Sequence, residues 1–137
     1  SRSLELLFLM RASLLVVFLL AFGFCACDSE EAQFDEMGPV IEVRQPATGQ
    51  FFTGEAEMDV EVVLSENLGL HTYFIWLVET ESGMPHLVDK NHLHARVHTV
   101  VKTFPLGDLP KGAYELLVTA TDHDQNTSEI RVPLTLK

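Results

Sequence analysis

From residue 39 onward, apolar and polar side chains alternate, and no window repeats with a helical period. The clearest stretch is Glu57 to Leu64. Met58, Val60, Val62 and Leu64 fall on one face, and Glu57, Asp59 and Glu61 on the other. That period of two predicts a strand buried on one side. Pro39 to Arg44 reads as a short first strand, closed by Pro46 and the turn residues Thr48 and Gly49. Leu70 to Val78 is apolar on both faces, through Tyr73, Phe74, Ile75, Trp76 and Leu77. It predicts an interior strand with Trp76 buried, where truncation to alanine costs about 3 to 5 kcal/mol. Glu81 to Pro85 is a turn. The stretch from His86 to Leu106 is less regular, with a break expected between Val88 and Asn91. Between 92 and 102 one face carries Leu93, Ala95, Val97, Thr99 and Val101. The other carries His92, His94, Arg96, His98 and Lys102. Gly107 to Gly112 is a loop, and Tyr114, Leu116, Val118 and Ala120 alternate inward after it. A polar turn at Asp122 to Asn126 leads to Ile130, Val132, Leu134 and Leu136 on one face of a last strand. Pro133 cannot donate a ladder hydrogen bond, so this strand is expected at a sheet edge.

About seven strands in about 100 residues, with turns at this spacing, predict an all-β sandwich of antiparallel strands over residues 39–137. The net charge of the chain is −11. Setting Arg2, Arg11 and Glu5 aside with the first 27 residues leaves 19 acidic and seven basic residues. So acidic a surface repels nucleic acid, which is excluded as a partner. The chain has two cysteines, Cys25 and Cys27, and neither lies in the sandwich segment. A disulfide, a thiolate metal site and a cysteine nucleophile are therefore excluded from the sandwich.

The N-terminal stretch has a different pattern. Residues 12–24 form an uncharged apolar run, short for a membrane span and suited to the core of a signal peptide. Met10-Arg11 makes a natural start, which leaves 1–9 as an upstream extension. The segment Phe22-Gly23-Phe24-Cys25-Ala26-Cys27-Asp28 resembles a bacterial lipobox, with Ala26 as the small residue before Cys27. The resemblance implies a signal peptide over 1–27, lipidation at Cys27 with palmitate-type acyl chains, and export. Each buried CH₂ contributes about 0.8 kcal/mol, so more than one chain makes a stable membrane anchor. Residues 28–38 are acidic at their start and poor in aliphatics, and they read as a solvated tether. An acidic run after the lipid-bearing cysteine is similar to surface-export signals, which points to the outer membrane and its outer face.

Leu109-Pro110, Gly112, Tyr114, Leu116, Val118 and Ala120 resemble the penultimate strand of fibronectin type III and related immunoglobulin-like domains. In those domains a tyrosine near the strand start forms the tyrosine corner. Trp76 stands where they often bury an aromatic. Ala120-Thr121-Asp122 and Asn126-Thr127-Ser128 are similar to a turn of bacterial immunoglobulin-like repeats, with Gln125 in place of its glycine. The whole chain is thus similar to bacterial lipoproteins with one immunoglobulin-like domain of unknown function. That fold hosts many activities, so function has to be argued from a site.

All six histidines lie in the sandwich segment. His92 and His94 are two residues apart. On one strand they share a face about 6 to 7 Å apart, close enough to chelate one ion. His98 is about 13 Å further along a straight strand, too far to join them. Further ligands are sought among His86, Asp89, His71 and His123, with zinc or copper as the ions that suit imidazole. Asp122, Asp124 and Asn126 match the start of a calcium loop, D-x-D-x-N. Thr127 and Pro133 stand where an EF-hand needs glycine and glutamate, so only a calcium site shared with another loop is open to them. No nucleophile elbow, phosphate loop or dinucleotide fingerprint is present, and the chain is not expected to be an enzyme. The leading expectation is a lipid-anchored envelope or surface module that binds a protein, glycan or peptide. The alternatives are a metal-binding lipoprotein and a structural spacer.

Overall fold

A computed structural model describes residues 36–137. The apolar run, the lipobox with Cys27 and most of the acidic tether lie outside the described residues. Those residues form eight strands: β1 (Val40–Gln45), β2 (Gln50–Phe52), β3 (Glu57–Ser65), β4 (Leu70–Glu79), β5 (Pro85–His92), β6 (Val97–Pro105), β7 (Gly112–Asp122) and β8 (Thr127–Leu136). They make two sheets, β1-β3-β6 and β2-β8-β7-β4-β5. The sheets pack as a β-sandwich around one apolar core.

The period-two stretches supply most of that core. Met58, Val60, Val62 and Leu64 of β3 are buried, as are Tyr114, Leu116, Val118 and Ala120 of β7. Val132, Leu134 and Leu136 of β8 join them. Leu109 to Gly112 enters β7 through a bond from the Tyr114 hydroxyl to the Pro110 carbonyl. That bond satisfies a phenol whose ring is otherwise buried.

Four sequence expectations are corrected. First, β5 runs unbroken through Val88 to Asn91, and the break falls at 93–96. Ile75 pairs with Asp89 and Trp76 with Leu87, so Val88 is an extra residue in a bulge that keeps the strand going. Second, β6 has the opposite phase. Val100 is buried, while Val97 and Val101 face outward, Val101 77% exposed. The chain changes sheets at 93–96, and that irregular link resets which residues point inward. Third, Trp76 is only partly covered, on the outer face of the five-stranded sheet, where its ring stacks with Phe74. Ile75 and Leu77 are the inward residues of that stretch. Fourth, β8 is not the sheet edge. Gln50 to Phe52 forms a short parallel strand alongside Leu134 to Leu136. Gly49 N–H donates to the Pro133 carbonyl on that side. The proline thus sits where this pairing begins and costs it no donor.

Candidate functional site

One end of the five-stranded sheet gathers four of the six histidines. His71 is the second residue of β4, His92 ends β5, His94 lies in the 93–96 link and His123 follows β7 directly. Their rings form a closed circuit of contacts. Centroid separations are 4.2 Å for His71–His92, 5.0 Å for His92–His94, 5.8 Å for His94–His123 and 4.7 Å for His71–His123.

Three of the rings, those of His71, His94 and His123, are set there by local backbone devices. Leu70 and Tyr73 both point inward although they are three residues apart. A regular strand forbids that, and a register shift against β7 between Leu70 and Thr72 absorbs the extra residue. His71 and Thr72 are both left half-buried. The link that carries His94 is tied down by backbone bonds. Leu93 N–H donates to the His71 carbonyl, and Leu70 N–H to the Ala95 carbonyl. His123 starts a turn built on Asp122, which is 2% exposed. Asp122 Oδ1 accepts from the backbone N–H groups of Asp124 and Asn126, and Oδ2 from the Asn126 side chain. Gln125 takes the left-handed conformation, φ 68°, where the resemblance has glycine.

The β3–β4 loop supports the circuit from below. Glu66 Oε2 accepts from Leu68 and Gly69 N–H, each at 2.6 Å. Its Oε1 is the one buried side-chain oxygen or nitrogen among the described residues with no hydrogen-bond partner. Gly69 has φ +146°, and a Cβ there would stand 3.5 Å from His123 Cδ2. That is an ordinary contact, so it is the backbone conformation, which only glycine takes without strain, that calls for glycine here.

The spacing of the rings matches metal chelation. Nitrogen lies about 2.0 to 2.1 Å from zinc, and the ring centre about 1.2 Å beyond it. Four imidazoles around one ion therefore have neighbouring centres about 4.6 Å apart in a square and about 5.3 Å apart in a tetrahedron. The four separations bracket these values. His71 Nδ1 and His123 Nδ1 are 3.0 Å apart, the distance of two donors on one ion and also of a hydrogen bond between two neutral rings. As the rings stand, however, no three His, Cys, Asp or Glu side chains among the described residues converge on a point that would hold a metal.

No protein-family model and no curated protein matches this chain.

The other candidates lie elsewhere. His86 is six residues before His92, about 20 Å along β5, and its Nε2 lies 2.8 Å from Glu79 Oε2. Asp89 accepts the Tyr73 hydroxyl at 2.7 Å and faces Lys102 Nζ at 3.5 Å. This group bridges β5 and β6 on the open side of the sandwich. Burial first, and then the bond to Asp89, push the Tyr73 hydroxyl well above its ordinary pKa. His98 stacks on Tyr73 at 5.6 Å. For calcium, Asp122 has both oxygens engaged within its own turn, so a cation would have to displace those bonds. The expectation that His92 and His94 share one strand face is corrected, since β5 ends at His92. Their rings meet because the chain bends there.

Burial, and then the nearby His92, His123 and His94, hold His71 below the ordinary histidine value of 6.5. The unfolded chain then takes up a proton that folded His71 resists. Stability from this group is whole above about pH 6.5 and is lost as pH falls through the lower folded value. The melting temperature at about pH 5 is expected to fall below that at about pH 7.5, and His71→Gln to narrow the gap. An unchanged gap in the variant would assign the pH dependence to other groups.

Proposed function

We propose that this chain is a lipid-anchored, immunoglobulin-like β-sandwich of the bacterial envelope that binds a transition-metal ion, zinc or copper(II), at the circuit of His71, His92, His94 and His123. The single observation behind this is the circuit itself. Four imidazoles at 4.2 to 5.8 Å meet from three strand ends and a link. Gathering the rings disfavours protonation of His71, through burial and then the neighbouring imidazoles. A shared ion makes the same gathering favourable. No nucleophile–base pair or open carboxylate dyad accompanies the circuit, so binding is the activity proposed.

An ion that binds only the folded state stabilises it by about 2.7 kcal/mol at a hundredfold excess over Kd. That raises the melting temperature by roughly 10 °C in a domain of this size. Zinc or copper(II) at near-neutral pH should produce this shift in the parent. The double change His92→Ala and His94→Ala should abolish it. His98→Ala and His86→Ala should keep it, since neither ring belongs to the circuit. Equal shifts in the parent and the double variant would end the metal reading.

The strand order β1-β3-β6 against β2-β8-β7-β4-β5 and the Tyr114–Pro110 bond support the immunoglobulin-like reading. Export and anchoring rest on the apolar run and Ala26-Cys27. Mass spectrometry of the mature protein should find it beginning at acylated Cys27, and an unlipidated N-terminus further along would refute this. A second reading, a module for a protein or glycan, rests on the outer face of β4 and β5. Phe74 and Leu87 are exposed there, and the planes of Phe74 and Trp76 lie 7° apart. Chemical-shift changes on that face with an envelope glycan would favour it over the metal reading.

A further inference from the structure

We propose that two copies of this chain associate edge to edge through β6, strand added to strand across a twofold axis, so that the sheet β1-β3-β6 continues into the same sheet of the second copy.

The backbone groups that β6 leaves free follow from the two ends of its ladder. Glu66 N–H donates to the Arg96 carbonyl, and Leu106 N–H to the Ala56 carbonyl. Between these bonds the register with β3 is unbroken, from Ser65 opposite Val97 to Glu57 opposite Pro105. In an antiparallel pair, alternate residues exchange bonds with the neighbour. The even-numbered residues of β6 therefore bond β3, and Val97, Thr99, Val101 and Thr103 direct N–H and C=O away from it. Among the described residues no strand pairs with β6 on that side, where it is the edge of its sheet. The side chains of these four residues are exposed, Val97 by 63% and Val101 by 77%.

The other sheet edges are blunted. A register shift between Val43 and Gln45 interrupts β1, which carries Glu42 and Arg44 and ends against Pro46. β2 has only three residues. β5 starts at Pro85, bulges at Val88 and carries Asp89 and Lys90. Short length, bulges, proline and charge are what keep sheet edges from pairing. β6 has nine residues, a regular register and mostly β-branched side chains on its outer face. An edge of that kind is a template for a further strand.

The sequence of β6 fits a second copy of itself. Apart from the short β2, every other strand carries an Asp or Glu, and β6 carries none. The chain has a net charge of −11, so two copies repel over most of their surface. Along β6 they meet without opposed carboxylates. Laid antiparallel on itself and centred on Val100, β6 sets Val97 opposite the partner's Thr103 and Thr99 opposite the partner's Val101. All four free residues then exchange both backbone bonds, about eight bonds in all. On the outer face each cross-strand pair joins a valine to a threonine methyl.

The test uses the full chain in a non-ionic detergent that shields its apolar run. Sedimentation should show the mass rising toward a dimer with concentration. Over the same range, amide hydrogen exchange at Val97, Thr99, Val101 and Thr103 should slow about tenfold or more. His98, Val100 and Lys102 should be slow throughout, because β3 already holds them. Val101→Pro removes a donor that the fold does not use, so it should weaken association about tenfold or more with little change in melting temperature. Val101→Lys keeps the donor, sets a charge on the edge and should also weaken association. A chain still monomeric at about 0.5 mM would leave the edge to another protein's strand and overturn the proposal. A dimer whose odd-numbered amides still exchange fast, or that both variants leave intact, would place the contact elsewhere and overturn it too.

Discussion

Ile75→Ala is expected to destabilise the domain by about 2 to 5 kcal/mol, whereas Trp76→Ala beside it costs about 1 kcal/mol. The ordering is unusual, since tryptophan is the larger side chain. It follows from facing. Ile75 is fully buried between the sheets, in a core that includes Val118 and Leu77. Removing its branched side chain leaves a cavity that a two-sheet interior cannot close, because both walls are held by backbone ladders. Trp76 lies on the outer face, stacked with Phe74 at 6.3 Å and opposite Leu87 and Leu117. Its loss gives up cross-strand contact and leaves no cavity. Thermal melts of the two variants decide the matter. Ile75→Ala should lose roughly 10 to 25 °C and Trp76→Ala a few degrees. The reverse order would mean that β4 presents the other face to the core.

The second large effect is expected at Asp122. Alanine there removes both oxygens that hold the 123–126 turn, the acceptors of the Asp124 and Asn126 N–H groups and of the Asn126 side chain. Charge-assisted bonds of this kind are worth about 1.5 to 3 kcal/mol each, so a loss of about 3 kcal/mol is expected. Asp122→Asn, which keeps one acceptor oxygen, should recover part of it. Because His123 leaves the strand from Asp122, zinc affinity in Asp122→Ala should fall at least about tenfold, or 1.4 kcal/mol. Calcium added to the parent should leave its melting temperature unchanged, since Asp122 has both oxygens in use. A calcium-dependent rise that Asp122→Ala abolishes would restore the calcium reading of Asp122, Asp124 and Asn126.

The two substitutions also mark how far local pattern reaches. The alternation in β3, β7 and β8 identified their inward residues correctly, because a strand buried on one face writes its facing into every second position. The same rule had nothing to work with in β4, which is apolar on both sides. A strand apolar on both faces predicts Trp76 buried, and the structure puts it on the outer face, partly covered. In β6 the alternation was visible, but its phase was not. Val97 and Val101 look like core residues until the link at 93–96 turns the strand over.

The histidines divide along the same line. His92 and His94 could be paired from sequence, since two residues of separation bring side chains close in strand and bend alike. The other candidates could be named only as a group, from which the fold brings His71 and His123 to the circuit and leaves out His86 and Asp89. His71 and His123 lie 52 positions apart, and they meet because β4 and β7 pair antiparallel, with Leu70 opposite Asp122. The register shift beside His71, and the left-handed residue Gln125 in the turn that carries His123, carry no sequence signature that alternation would show. Sequence alone determined that this segment is all-β, acidic and free of cysteine, because those properties belong to composition and to neighbours two positions apart. Which imidazoles share a site was decided by tertiary structure, because that depends on strand pairing between residues distant in the chain, and pairing is settled only when the whole core closes.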